Sequence, residues 1–120
     1  DRGAASATGD RGAASATGYQ GAASATGDRG AASATGDRGA ASATGSDSIA
    51  ITTGWHGKAK GAVGCGLMLA ERDDYGHLIG VKAVLVDGKR IKPDTWYGLH
   101  GGRVVRVDDD GEPITKAVPA

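Results

Sequence analysis

Apolar and polar positions divide the chain into two unlike halves. Residues 1–54 carry Gly, Ala, Ser and Thr with almost no large apolar side chain, whereas residues 63–107 carry nearly all the Val, Leu and Ile. In the first half the pattern repeats every nine residues. Asp-Arg-Gly-Ala-Ala-Ser-Ala-Thr-Gly fills the first 45 residues as five copies, with Tyr19-Gln20 replacing Asp-Arg in the third. Two decayed copies follow, at residues 46–54 and 55–63. A fixed short period predicts a stack of like units.

The decay indicates which face is inside. The fifth position is Ala in every copy: Ala5, Ala14, Ala23, Ala32, Ala41, Ala50 and Ala59. The third is Gly or Ser, and the seventh is Ala, Thr or Gly. The fourth and sixth change from Ala and Ser to Ile49 and Ile51, then to Lys58 and Lys60. Side chains alternate across a strand. Positions three, five and seven, such as Gly3, Ala5 and Ala7, are therefore expected in a very narrow core. Positions four, six and eight are expected outside, placing Ser6, Thr8, Ser15, Thr17, Ser24 and Thr26 on outward faces.

Each unit reads as a short strand and a corner, and the ninth-position Gly is expected to supply a positive φ there. Nine residues are few to close a coil around a core. Two units per coil of about 18 residues stack odd copies along one edge and even copies along the other, at the strand spacing of about 4.8 Å. Asp and Arg side by side at the corners keep the stacked edges neutral, each exposed pair contributing at most about 1 kcal/mol.

The second half reads as strands joined by turns. Cys65 to Arg72 and His77 to Val86 flank the turn Asp73-Asp74-Tyr75-Gly76, with Gly80 at a bulge. Asp87-Gly88 is a hairpin signal. Trp96 to Leu99 and Arg103 to Val107 flank Gly101-Gly102. The expected fold is all-β: a narrow β-solenoid of nine-residue strand-turn units over 1–63, then an antiparallel β-meander cap over 64–107. Residues 108–120 read as a tail or intersubunit arm. Ile49 and Ile51 are expected to help the junction if covered.

Taken with Gly57-Lys58-Ala59-Lys60-Gly61-Ala62 and Leu69-Ala70-Glu71-Arg72, the repeats resemble a family of bacterial and phage-encoded proteins. Its members carry tandem Gly-Asp-Arg-Ser-Ala-Ala-Thr-Asn-Thr-Gly-like nonapeptides. The likeness covers most of the chain. It implies a β-solenoid with a C-terminal β cap and implies no activity. Ser48-Ile49-Ala50-Ile51 and the Ala-Thr-Gly corners are more distantly similar to head repeats of YadA-type trimeric autotransporter adhesins, which implies adhesion or surface display.

Charge and reactive side chains add little. Fourteen basic and fourteen acidic residues balance to zero and are spread along the chain, which points away from nucleic acid and anionic membranes. No apolar run reaches membrane-span length. The single Cys65 precludes an intrachain disulfide. Calcium nonapeptides need a second Gly and have no Arg after the Asp, so the array is not read as a calcium site. Asp108-Asp109-Asp110-Gly111-Glu112 is half a calcium-loop pattern and is read as a solvated turn. His56, His77, His100 and Cys65 lack zinc spacing, and no Ser, Thr or Cys has a credible activating partner. No cofactor, metal or catalytic residue is expected.

The leading expectation is a non-enzymatic structural protein that self-associates into a filament, fibre or surface-display assembly, extracellular or virion-associated. The first coil stacking on a neighbour's cap and flat faces packing side by side are the two routes. The chain begins inside a repeat frame, and further repeats or another chain are expected to cover that edge. The alternative is a binding or adhesion module with the solenoid as spacer and Tyr19, Trp55, Tyr75, Trp96 and Tyr97 as interaction residues. Ice binding is a further alternative, carried by outward Thr columns with Ser and Ala beside them.

Overall fold

The computed structural model describes residues 4–108 and 111–117, with side chains placed as far as residue 114. Gly3 and, in the acidic run, Asp109 and Asp110 lie outside the described residues. Among those described the fold is all-β. Seven four-residue strands follow the repeats: β1 (Ala4–Ala7), β2 (Ala13–Ala16), β3 (Ala22–Ala25), β4 (Ala31–Ala34), β5 (Ala40–Ala43), β6 (Ile49–Thr52) and β7 (Lys58–Gly61). The second half adds β8 (Gly66–Arg72), β9 (Leu78–Leu85), β10 (Tyr97–His100), β11 (Arg103–Val107) and β12 (Pro113–Ala117).

Odd and even units separate into two sheets, ordered β1-β3-β5-β7-β10-β11-β12 and β2-β4-β6-β8-β9. The repeat strands pair in parallel with a register of 18 residues, as in Ala5↔Ala23 and Ala14↔Ala32. The chain is thus a β-solenoid of about four turns with two units per turn. Methyl groups from the two sheets meet in a core barely one side chain deep: Ala23, Ala25, Ala32, Ala34, Ala41 and Ala43 are buried. Ala5 and Ala7 in the first strand are half-buried.

The corners are built differently from the expectation. Among the described residues the left-handed one is the second of the unit, not the ninth. Arg11, Gln20, Arg29, Arg38, Asp47 and His56 all have φ between 53° and 60°. In Gly9-Asp10-Arg11-Gly12 the Gly12 N–H donates to the Gly9 carbonyl at 3.0 Å, as in a turn of type II. Left-handed geometry costs a side-chain-bearing residue about 1–2 kcal/mol. Here it aims the N–H at the next coil: Arg11 N–H donates to Asp28 O at 2.8 Å and Arg38 N–H to Trp55 O at 2.7 Å. The ninth residue is Gly for space instead. A Cβ built on Gly27, Gly36, Gly45 or Gly54 would collide with the carbonyl of the Gly one coil below.

The cap is not one meander. β8 continues the second sheet parallel to β6, and β9 pairs antiparallel to β8. Leu67 and Leu69 of β8 enter the core where the repeats place Ala, and Gly61 opposite leaves room for Leu67. Between Glu71↔Gly80 and Arg72↔Leu78 the register shifts, so β9 is bulged beside Gly80. Asp87-Gly88 does not close a hairpin. The Asp87 carboxylate accepts the N–H groups of Lys89, Arg90 and Ile91 at 2.8, 3.0 and 3.1 Å, which turns the chain across to the first sheet. Those donors hold its carboxyl below the usual range. Ile91 and Tyr97 then plug the end of the core, with the Lys92 N–H donating to the Tyr97 hydroxyl at 2.8 Å. β10 meets β7 antiparallel at Tyr97↔Ala59. Pro113–Ala117, expected within a tail or arm, joins the first sheet beside β11 because its backbone completes the ladder there.

Candidate assembly surface

The registers bring several exposed apolar side chains together on the outer face of the second sheet. Three rows cross it. One runs Ala13, Ala31, Ile49, Gly66, Leu85; the next runs Ser15, Ser33, Ile51, Met68, Ala83. The third runs Thr17, Thr35, Thr53 along the coils and reaches Ala70 and Val81 in the cap, which are paired. None of these positions is charged, and Arg72, next on the outward side of β8, donates its Nε–H to the Thr53 carbonyl at 2.6 Å at the border of the third row. Ile49, Ile51, Met68, Val81 and Leu85 are the large apolar residues of these rows, interspersed at the cap end with the small Gly66, Ala70 and Ala83. Val81 and Leu85 are 69% and 68% exposed, and Met68 is 45% exposed. A shallow groove lies among Ile51, Thr53, Met68, Ala70, Val81 and Ala83. Ile49 and Ile51, expected to help the junction if covered, face outward on this surface, Ile49 exposed and Ile51 half-buried, because their position in the unit is the outward one.

The edge of the same sheet is better guarded than its face. β9 is the last strand, and Lys82 and the bulge at Gly80 are devices that discourage strand addition. The first sheet also runs two strands further, through β11 and β12.

The five aromatic candidates are not brought together. Tyr97 is fully buried and belongs to the core, so it is not a contact residue. Tyr75 lies 89% exposed at the tip of the β8–β9 turn and Tyr19 half-exposed at a corner. Trp55 stacks on His56, with ring centroids 3.7 Å apart, and the Arg38 guanidinium lies 5.0 Å from its ring. Trp96 packs against the ammonium groups of Lys58 and Lys60, at 4.5 and 4.6 Å, and Lys60 pairs with Asp94 at 3.1 Å. Lys58 thus sits on the outward face and is nevertheless covered. Of the outward repeat residues, Ser6, Thr8, Ser15, Thr17 and Thr26 are exposed and Ser24 is half-buried.

One titratable cluster was not readable from spacing, because its members come from β10, two corners and the loop before β12. His56 Nδ1 lies 2.6 Å from Glu112 Oε2, and Arg38 lies 3.4 Å from the same oxygen. The His100 ring meets His56 edge-on at 5.0 Å, and His100 Nε2 donates to the Gly111 carbonyl at 3.1 Å. Burial, then the neighbouring His56, lowers the His100 pKa from its usual 6.5. Glu71 accepts the Gly101 and Gly102 N–H groups at 2.6 and 2.9 Å. These contacts pin the β10–β12 part of the cap to the solenoid. The buried Cys65 thiol donates to the Gly45 carbonyl at 3.1 Å. Among the described residues no three His, Cys, Asp or Glu side chains converge to hold a metal, and no helix is long and apolar enough to cross a membrane.

The chain matches no protein-family profile, curated protein or solved structure.

Proposed function

We propose that this protein is a non-enzymatic structural element that self-associates, its solenoid forming a short rod and the outer face of the second sheet forming the contact from which a filament, fibre or surface assembly is built. The observation that carries this reading is the outer face of the second sheet, where Met68, Val81 and Leu85 stand exposed at the cap end. Exposed apolar patches of this kind are often functional surfaces. Sheets whose faces are apolar and flat bury them by packing against another sheet. The burial of Tyr97 and the packing of Trp96 beneath two lysines leave the alternative ligand site in the cap with less surface to offer.

The test is Ile51→Lys. The equivalent position of the next unit is already Lys60, so the solenoid accommodates a lysine there. The variant is expected to melt within a few degrees of the parent and to sediment as a monomer at concentrations where the parent associates. Unchanged association of a folded Ile51→Lys variant would exclude this face as the contact.

A further inference from the structure

We infer that the Asp-Arg edge of the solenoid is a separate self-contact, through which two copies lie side by side with their axes parallel; it does not use the outer face of the second sheet. The even corners stack along one edge, where Asp10, Arg11, Asp28, Arg29, Ser46 and Asp47 line a groove. The backbone sets the stack: the Arg11 N–H donates to Asp28 O and the Arg29 N–H to Ser46 O, both at 2.8 Å. Asp10 therefore stands one coil from Asp28, and Arg11 one coil from Arg29, at about 4.8 Å. The edge is an acidic column beside a basic one. All six residues are exposed. None makes an ion pair or a side-chain hydrogen bond among the described residues. Like charges one strand spacing apart repel, and here no close opposite charge offsets them. The other edge is different. There Tyr19-Gln20 is uncharged, and Arg38 is engaged by Glu112 at 3.4 Å and by the Trp55 ring at 5.0 Å.

The charge pattern selects both the occupant and its sense. A two-fold axis parallel to the solenoid axis keeps each coil level with its counterpart and exchanges the columns. Asp10 then meets Arg11 of the second copy, Asp28 meets Arg29, and Asp47 meets the neutral Ser46. With the axes reversed each column meets itself: centred on the middle coil, Asp28 meets Asp28 and Arg29 meets Arg29. Complementary charge fixes register and rejects the like-charged alternative in this way. A second copy carries the required ladder at the required spacing, because one coil repeat sets both. Exposed ion pairs are individually weak and screened by salt, so the pair is expected at low ionic strength and near-millimolar concentration. A two-fold contact closes on itself. Together with the outer face it gives each copy two different contacts, which an open assembly requires.

A charge exchange at one corner tests the arrangement, read by sedimentation in the Ile51→Lys background, which closes the outer face and leaves this edge untouched. At about 10 mM salt, where charges are felt over about 30 Å, that variant is expected to dimerise, and at about 0.15 M salt to be monomeric at the same concentration. Adding Arg29→Asp sets carboxylates against carboxylates and is expected to weaken the low-salt pair about tenfold. Adding Asp28→Arg instead sets guanidinium groups together, with the same effect. Both together restore opposite charges across the contact and are expected to return affinity to within about threefold of the background. Asp47 already holds the second corner position with φ 58°, so Arg29→Asp fits the turn, and circular dichroism and melting of each variant establish that the fold is kept. Losses in the single variants without recovery in the double variant reject the parallel arrangement. An Ile51→Lys protein that stays monomeric at low salt, or a dimer indifferent to these charges, overturns the contact and leaves the outer face standing.

Discussion

The place of glycine in the unit predicts what substitution does. At the ninth position of a unit it is there for close approach between coils. Gly36→Ala places a methyl group against the Gly18 carbonyl, and relief requires the coils to part. Overpacking against a rigid backbone costs about 3 kcal/mol, and chemical denaturation of the variant is expected to show a loss of that size. The same narrowness makes Thr52 conspicuous. It occupies a seventh position, where earlier repeats place Ala, is fully buried, and its hydroxyl has no hydrogen-bond partner among the described residues. Thr52→Val keeps the shape and removes the orphaned hydroxyl. It is expected to raise stability by about 1 kcal/mol; a loss of stability would mean the hydroxyl is satisfied. By contrast Ser48, the one polar replacement at a third position, is fully bonded, donating to Gly27 O at 2.9 Å and accepting from Gly30 N–H at 3.1 Å.

Among the elements, the repeat strands were legible and the cap connections were not. Strict two-residue alternation between tiny and variable positions gave the strands, their inward faces and the pairing of alternate units. The corner conformation was not legible, because an Arg in the left-handed region contradicts local preference and is imposed by the coil above it. Asp87-Gly88 misled for a related reason: its carboxylate found three backbone donors and turned the chain between sheets instead of back along one. The loop before β12 and β10 itself are held by the His56–Glu112 and His100–Gly111 contacts, which join residues far apart in sequence. Their chemistry sets a pH dependence. Burial and then His56 lower the His100 pKa in the folded state, against the weaker opposing influence of the Gly111 carbonyl and of Glu71 and Glu112. Its folded pKa lies below its unfolded value, so the unfolded chain binds the proton more readily as pH falls through about 6.5. Stability is therefore fully present above that value and declines below it. Melting temperature followed from pH 8 to pH 5 is expected to fall, and to fall less in His100→Gln; equal slopes in the two proteins would assign the decline to other groups.

At the scale of the whole molecule, two sheets of unequal reach define the behaviour. The repeats supply a regular rod with a methyl-thin core, and stability in such an array comes from each coil's neighbours. The cap supplies the large apolar residues, but uses only part of them for closure. Leu67, Leu69, Val86, Ile91 and Tyr97 seal the core, whereas Met68, Val81 and Leu85 look outward. The outward set continues the rows begun by Ile49 and Ile51. Sequence alone placed Ile49 and Ile51 on the outward side of their strand and left open whether the cap covers them, because the registers that carry their rows into β8 and β9 are tertiary. Self-association itself is decided by sedimentation velocity of the unmodified protein across concentrations up to about 1 mM, where even association of about −4 kcal/mol is visible. A monomer at low concentration giving way to a dimer or larger species is expected; a single monomeric species throughout would contradict it.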